Sequence, residues 1–325
     1  MVPGSKSASR SGLIVNPRAG RGGGKGRALA DRLAGDARVS VRVIERFGQL
    51  GGFLSGLAAD GVTDLFVSSG DGTIQAILTE LAERNPFLAP PRLCLLPHGT
   101  TNLSANDLGF RSSSLDAQAS MLLTPKPRET VVRNTIRCAN PGDGITRHGM
   151  FVGTGAVAEA TRYCQQALNE QGVKGQFAVA ATLLRSVGRH LISAPKPGDE
   201  TRFDRPFMIT VEADGRRQAE GTQLLQMSTT LSKLVLGARP FWGSGTGAIR
   251  TTVLPYPVPS VLRWILPVMY GGDNRATPPG AASFRSAELS VTSPSMFVID
   301  GEFFPPPQGA ALRLETGPAF TFIRA

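Results

Sequence analysis

Two hydrophobic periods alternate over the first third of the chain. Leu13-Ile14-Val15 is a short apolar run that reads as a strand, and Leu29 and Leu33 share one side of the helix that follows. Val39 to Ile44 alternates apolar and polar residues, as a strand does. Leu50 to Ala59 reads as a helix ended by Gly61. Leu65 to Val67 is again a buried strand, interrupted by Ser68, Ser69, Gly70, Asp71 and Gly72. From Thr73, the expected cap, the period turns helical, with Ile74, Ile77, Leu78 and Leu81 on one face. Arg92 to Leu96 is a further strand; it runs into Pro97-His98-Gly99-Thr100-Thr101-Asn102, and a helix starts at Leu103. Strands alternating with helices predict a parallel sheet with crossover helices.

Pro125, Lys126, Pro127 and Arg128 punctuate the chain, and the pattern changes beyond them. Val131–Cys138, Gly149–Gly153, Phe207–Ala213, Thr222–Leu231 and Leu289–Ile299 read as strands, with one helix at Gln176–Val187. Ala311–Ile323 reads as a strand returning to the first domain. A chain of 325 residues suits two domains. The expected fold is α/β: an N-terminal doubly wound parallel-sheet domain plus a C-terminal, mostly antiparallel β domain. The expected bounds are a flexible arm at 1–12, a first domain at 13–128 rejoined by 311–325, and a second domain at 129–310.

Charge narrows the partners. The formal net charge is +10, with 15 Lys/Arg against 10 Asp/Glu up to residue 128 and 20 against 15 beyond it. Such a surface suits anionic membranes, nucleic acid or phosphate-bearing ligands, and solubility alone explains it equally well. Cys94, Cys138 and Cys164 form neither a zinc pattern nor a disulfide framework, which fits a reducing cytoplasm. The N-terminus lacks the apolar core of a signal peptide. The most apolar part, Val253 to Tyr270, is broken by Arg263 and by prolines 255, 257, 259 and 267, so it does not read as a span. The expectation is a cytoplasmic protein, soluble or peripherally membrane-bound.

Three strand ends carry Gly-rich or polar loops, at 16–26, 68–73 and 97–102. In a doubly wound sheet those ends lie along one edge, where ligands bind. Asp71 sits between two glycines just before a helix N-terminus, a place that favours phosphate. A carboxylate beside phosphate repels it unless a metal ion or a proton lies between them, so Asp71 reads as part of a metal–nucleotide site. An ordinary strand–helix turn capped by Asp reads equally well. The loop Asn16-Pro17-Arg18-Ala19-Gly20-Arg21-Gly22-Gly23-Gly24-Lys25-Gly26-Arg27 looks like a phosphate cradle. It fails the Walker pattern at Ala19 and Gly26, and the dinucleotide pattern at Lys25. What remains is backbone N–H groups with Arg18, Arg21, Lys25 and Arg27.

Taken together, Ser69-Gly70-Asp71-Gly72-Thr73, Asn16 to Gly20, Leu96 to Asn102 and Ile299-Asp300-Gly301-Glu302 closely resemble the lipid kinase family that shares the diacylglycerol kinase catalytic domain. That family includes bacterial diacylglycerol kinases and the sphingosine and ceramide kinases. The resemblance spans about residues 13 to 323. It implies that the first domain binds ATP with Mg²⁺ and that the second binds a lipid. It assigns the nucleotide to Asn16, Arg18, Gly70, Gly72, Thr73, Gly99, Thr100, Thr101 and Asn102. It makes Asp300 the general base, with Asp71 and Glu302 as catalytic carboxylates near the metal. Ser69 stands for a usual Gly, and Leu103 stands where many relatives have Asp. Residues 245–254 lack the acidic pair of many relatives, which puts a structural magnesium site in doubt.

The expected activity is transfer of the γ-phosphate of ATP to a hydroxyl of diacylglycerol or of a ceramide or sphingoid lipid. Phosphoryl transfer needs in-line placement and charge neutralisation more than covalent chemistry. The alternatives are an NAD kinase-like enzyme, or a catalytically inactive lipid-binding protein. Expected partners are the lipid and the anionic inner face of a membrane, not nucleic acid, with a homodimer left open. Phe177, Val179, Leu183, Leu184, Phe241, Trp242, Trp264, Ile265 and Met269 are candidates to line an acyl channel, though each is more often plain core. Val258–Tyr270 is a candidate membrane contact. His98 reads as a phosphate or ribose contact or as a loop-packing residue.

Overall fold

The computed structural model describes residues 10–324 except 23, 110–113, 125–127, 172–204 and 259. The chain forms two units, Met1–Arg133 with Ala319–Ala325, and Asn134–Pro318. The sequence suggested cuts at 128 and 310. The observed cuts fall inside two strands that run from one unit into the other.

The first unit contains β1 (Ser11–Val15), α1 (Lys25–Leu33), β2 (Val39–Val43), α2 (Leu50–Ala59), β3 (Asp64–Ser69), α3 (Asp71–Arg84), β4 (Arg92–Pro97), α4 (Leu103–Leu108) and α5 (Leu115–Leu123). The sheet order is β2-β1-β3-β4, with every pair parallel. The last strand of the chain returns to this sheet, and its Phe322 pairs with Leu93 in parallel. The strands β1 and β3 are buried along their whole length. They read as continuous apolar runs because helices cover both faces of a parallel sheet. One face of the core gathers Leu13, Val15, Leu29, Leu33, Phe66, Cys94, Leu96, Leu122 and Ile323. The order places a topological switch between β1 and β3, where neighbouring loops diverge and leave a crevice.

Two expectations here need correction. Ser11 and Gly12 belong to β1, not to an arm, because they pair with Asp64 and Leu65 of β3. The helix α3 starts at Asp71 rather than Thr73, with Gly70 as its extended cap residue. Asp71 is therefore a first-turn helical residue, where a carboxylate complements the dipole.

The second unit holds β5 (Thr130–Cys138), β6 (Arg147–Gly149), β7 (Phe151–Gly155), α6 (Ala156–Gln171), β8 (Phe207–Ala213), β9 (Arg216–Thr229), β10 (Ile249–Pro255), α7 (Val261–Tyr270), β11 (Ala282–Ser286), β12 (Glu288–Thr292), β13 (Phe297–Ile299), β14 (Glu302–Phe304) and β15 (Leu312–Ile323). Its strand order is β14-β13-β7-β9-β8-β12-β15, paired antiparallel, with β10 and β11 branching from β9. Inward residues of these strands form a second core, including Val152, Val211, Ile249, Leu289, Ile299 and Leu314.

The expected strand Gly149–Gly153 is two strands. Met150 leaves the ladder because its N–H donates to the carboxylate of Asp300 and its carbonyl accepts from Thr229 and Thr230. The expected strand Leu289–Ile299 also divides, where Ser295 N–H turns back to Ser293 Oγ. The expected helix at Gln176–Val187, with Phe177, Val179, Leu183 and Leu184, lies outside the described residues.

The central pair β3–β4 is pinned by an ion pair. Asp64 is 1% exposed, and its two oxygens accept from Arg92 Nε at 2.7 Å and Nη2 at 2.8 Å. Removing one partner leaves a buried charge without its counter-ion. Arg92→Met is expected to lower unfolding stability by about 2–3 kcal/mol in urea titration, and adding Asp64→Leu to recover most of that loss.

Candidate functional site

All three polar loops foreseen in the first unit meet at the carboxyl ends of β1, β3 and β4. Asn16 follows β1. Its N–H donates to Ser68 O at 3.0 Å, and its Nδ2 donates to Thr73 Oγ1 at 2.8 Å. This ties the first loop to the start of α3 across the switch point. The Oδ1 of the same side chain accepts from Arg18 N–H at 3.0 Å, which turns the loop back on itself and leaves Arg18 exposed. Gly24 then enters α1 with left-handed backbone; no side chain caps this helix, and no acid lies in its first turn. A Cβ on Gly26 would run into Ser68 Oγ. A side chain at this position would therefore require Ser68 and Val15 to move.

The second and third loops touch through their main chains. A Cβ on Gly99 would meet the Cα of Gly70, so this approach requires glycine. Asn102 braces the third loop: its Oδ1 accepts from Gly99 N–H at 2.8 Å and its Nδ2 donates to Gly99 O at 2.9 Å. It does so from left-handed backbone, φ 53°, which Asn tolerates better than most residues. Thr100 is exposed, while Gly72 and Thr101 are half-buried.

Asp71 joins the two loops. Its Oδ2 accepts from Leu103 N–H at 3.0 Å and its Oδ1 from Ser104 N–H at 3.1 Å. The carboxylate of α3 thus caps α4 from another segment of the chain, satisfying donors that a helix start otherwise leaves open. Burial pushes this carboxyl above its ordinary value, against the pull of those two N–H groups. Sequence reasoning placed Asp71 beside phosphate and metal but missed its bond to α4. The sequence carried no signal for it: Asn102 stands at the cap position, but its side chain is taken up by Gly99, which leaves the first N–H groups of α4 to Asp71.

His98 resolves toward loop packing. Its Nδ1 lies 2.8 Å from Ser68 Oγ, linking the third loop to the end of β3. Burial first, and then the charge of Lys25, lower its pKa to about 4. The imidazole is therefore neutral at pH 7.

In the second unit, Asp300 and Gly301 form the two-residue turn between β13 and β14. Both have positive φ, at 46° and 91°, as a type I′ hairpin demands. Asp300 is 3% exposed. Its Oδ1 accepts from Phe151 N–H at 2.8 Å and Met150 N–H at 3.1 Å, and its Oδ2 also takes Met150 N–H at 3.0 Å. Gln165 Nε2 donates to Gly301 O at 2.7 Å and so ties α6 to the turn. Glu302, two residues on, is exposed.

Among the described residues, no three His, Cys, Asp or Glu side chains gather into a metal cage. Magnesium rarely needs one: it commonly takes one or two carboxylates and completes its shell with phosphate and water. Each Asp71 oxygen holds one N–H and keeps a second lone pair, so the residue remains chemically fit for such a role.

With this geometry in hand, likenesses to known proteins can be placed. Residues 10–133, less than half of the chain, match the family model described as the diacylglycerol kinase catalytic domain, in keeping with the resemblance read from the loops at 16–20, 69–73 and 96–102. Among solved structures, a Bacillus anthracis strain Sterne protein assigned as a diacylglycerol kinase is 16% identical, with 97% of this chain and 96% of that one covered at a TM-score of 0.64. Another diacylglycerol kinase structure from the same organism is 15% identical over 97% and 96%, with a TM-score of 0.58. An NAD kinase from Archaeoglobus fulgidus in complex with ATP is 11% identical over 95% and 92%, at 0.44. At these identities the likeness to the two Bacillus anthracis structures is one of fold. No curated protein sequence matches the chain.

The low pKa of His98 has a consequence for stability. The unfolded chain takes up a proton near pH 6.5 and the folded chain only near pH 4, so stability falls as pH drops through that window. Thermal unfolding followed from pH 7 to pH 4 should show a smaller fall in Tm for His98→Gln than for the native protein.

Proposed function

We propose that the protein is an ATP-dependent kinase that phosphorylates a lipid hydroxyl, that of diacylglycerol or of a ceramide or sphingoid base. The observation that carries this reading is the meeting of three Gly-rich and polar loops at one edge of the parallel sheet, in a unit that matches a diacylglycerol kinase catalytic domain. The N-terminus of α1 is the best place for phosphate. It lacks a capping side chain and a first-turn acid, and it carries Lys25, whereas α4 is already capped by Asp71. Asn16, Arg18, Gly70, Gly72, Thr73, Gly99, Thr100, Thr101 and Asn102 are proposed to cradle the nucleotide, mostly through main-chain N–H groups. Asp71 and Glu302 are the carboxylates proposed for magnesium, which when bound neutralises the phosphate charge.

Asp300 is proposed as the general base. Its three N–H contacts fix its orientation but also weaken it as a base, because hydrogen bonds to a carboxylate favour the ionised form. A second reading follows from exposure: Glu302 is open to solvent while Asp300 is buried, which favours Glu302 as the proton acceptor and Asp300 as the residue that holds the turn.

Incubation with labelled ATP and a panel of diacylglycerol, monoacylglycerol, ceramide, sphingosine and NAD is expected to label one lipid and leave NAD unlabelled. Lipid binding without any labelled product would instead favour an inactive lipid-binding protein. With the lipid known, Asp300→Asn should lower kcat by about 10²–10⁴-fold if Asp300 is the base. If Glu302→Gln carries that loss and Asp300→Asn mainly lowers Tm, the base is Glu302. Undiminished kcat in both variants would refute either assignment.

A further inference from the structure

The helix α7 and the strands beside it make a surface unlike the rest of the second unit. Among its ten residues, Val-Leu-Arg-Trp-Ile-Leu-Pro-Val-Met-Tyr, Arg263 is the only charged one. The helix is fastened at its C-terminal end. Arg239 N–H donates to Met269 O at 2.7 Å, the Arg275 guanidinium bonds Val268 O, and Tyr270 OH reaches Leu236 O at 3.3 Å. Val268 faces inward and is 6% exposed. The opposite stripe faces outward: Arg263, Leu266 and Tyr270 lie three and four residues apart, and Leu266 is 67% and Tyr270 49% exposed. Trp264, Ile265 and Met269, half-buried, border the stripe.

Charge identifies what this stripe meets. From residue 221 to 287 the bases are Lys233, Arg239, Arg250, Arg263, Arg275 and Arg285, and the only acid is Asp273. Arg239 and Arg263 are both exposed, the first bound to the C-terminal end of α7 and the second on the helix itself. The guanidinium of Arg263 lies 4.9 Å from the Trp264 ring centroid, an arrangement that keeps the cation at the border between apolar and wet surface. A short helix with an exposed apolar stripe, Trp and Tyr at its flanks and cations around it has the composition of an element that lies in a bilayer interface. A protein partner of mixed charge would find a single acid, Asp273, within residues 221–287.

We propose that α7 docks on an anionic phospholipid surface, with Leu266 and Tyr270 entering the headgroup–acyl boundary and Arg239 and Arg263 meeting lipid phosphates. Its purpose, access to a lipid acceptor, rests on the kinase reading; the docking itself does not.

The test is vesicle co-sedimentation of the full chain without ATP, on neutral phosphatidylcholine vesicles and on vesicles with roughly a third anionic phospholipid. Binding is expected to favour the anionic vesicles and to weaken as salt rises. Leu266→Asp should reduce binding by about tenfold or more, and Arg263→Glu should reduce both binding and its salt dependence. In a Trp242→Phe background, which leaves Trp264 as the sole indole, emission should shift to the blue on binding. Leu266→Asp that binds like the native protein, or equal binding to neutral and anionic vesicles, overturns the proposal. So does a dimer that Leu266→Asp turns into a monomer while vesicle binding is unchanged, since the stripe would then join two copies. Phosphorylation of detergent-dispersed lipid, measured in parallel, separates the two readings: its absence strikes the kinase reading and leaves docking standing on the vesicle result.

Discussion

The candidate nucleotide site depends on a carboxylate that bonds main chain. Asp71 opens α3, yet its two oxygens hold the N–H groups of Leu103 and Ser104 at the head of α4. This one side chain therefore sets the distance between the second and third loops. Gly99 can approach Gly70 so closely only because position 99 carries no Cβ. Asn16 extends the brace to the first loop through Thr73, and His98 extends it to the end of β3 through Ser68. A cradle made of backbone N–H groups has to be stiff, because its donors cannot be re-aimed by a rotamer change. Half-buried carboxylate, amide and imidazole groups supply that stiffness through their hydrogen bonds.

The second unit uses the same device. Asp300 holds Met150 and Phe151 N–H, and by doing so breaks one strand into β6 and β7. A carboxylate held by N–H groups is well oriented but reluctant to take a proton; one that faces solvent is free to react but less well held. The sequence Asp300-Gly301-Glu302 contains one of each.

Much of the first unit was legible because its strands are buried on both faces and its helices carry a 3.6-residue stripe. Leu13 to Val15, Leu65 to Val67 and Leu93 to Leu96 left little choice, and the loops at their ends followed from topology. The second unit was less legible for reasons that can be named. The strands β10 and β11 carry Thr251, Thr252 and Ser286 in buried positions, so they lack the apolar alternation that marks a strand. Those hydroxyls are placed by long-range partners such as Ser228 Oγ with Thr251 Oγ1 at 2.7 Å, and Thr252 Oγ1 with Pro240 O at 2.6 Å. The helix α6 starts in Ala156 and Ala158, where small side chains pack on β7 and mask the periodicity. The break at Met150 arises from a residue 150 positions away, and no local pattern encodes it.

Charge was legible in amount but not in arrangement. Divided at residue 128, the chain looks evenly basic. The structure shows where that evenness fails, and the failure comes from missing acids rather than added bases. Elsewhere arginines answer acids: Arg42 with Asp60, Arg92 with Asp64, Arg147 with Asp143, Arg217 with Glu212 and Glu220. Around α7 the six bases of residues 221–287 occur at about the density of the whole chain, 35 in 325, while acids fall to one. There the guanidinium groups turn instead to carbonyls and indole faces, as Arg275 does with Val268 O and Trp242, and Arg263 with Trp264. A guanidinium that meets a carbonyl, an indole face or water in place of a carboxylate keeps its charge at little cost to the fold. Exposed Arg239 and Arg263 thus lie against or on the helix that exposes Leu266 and Tyr270. That pairing of cations and stripe is what an anionic lipid surface can satisfy in one contact.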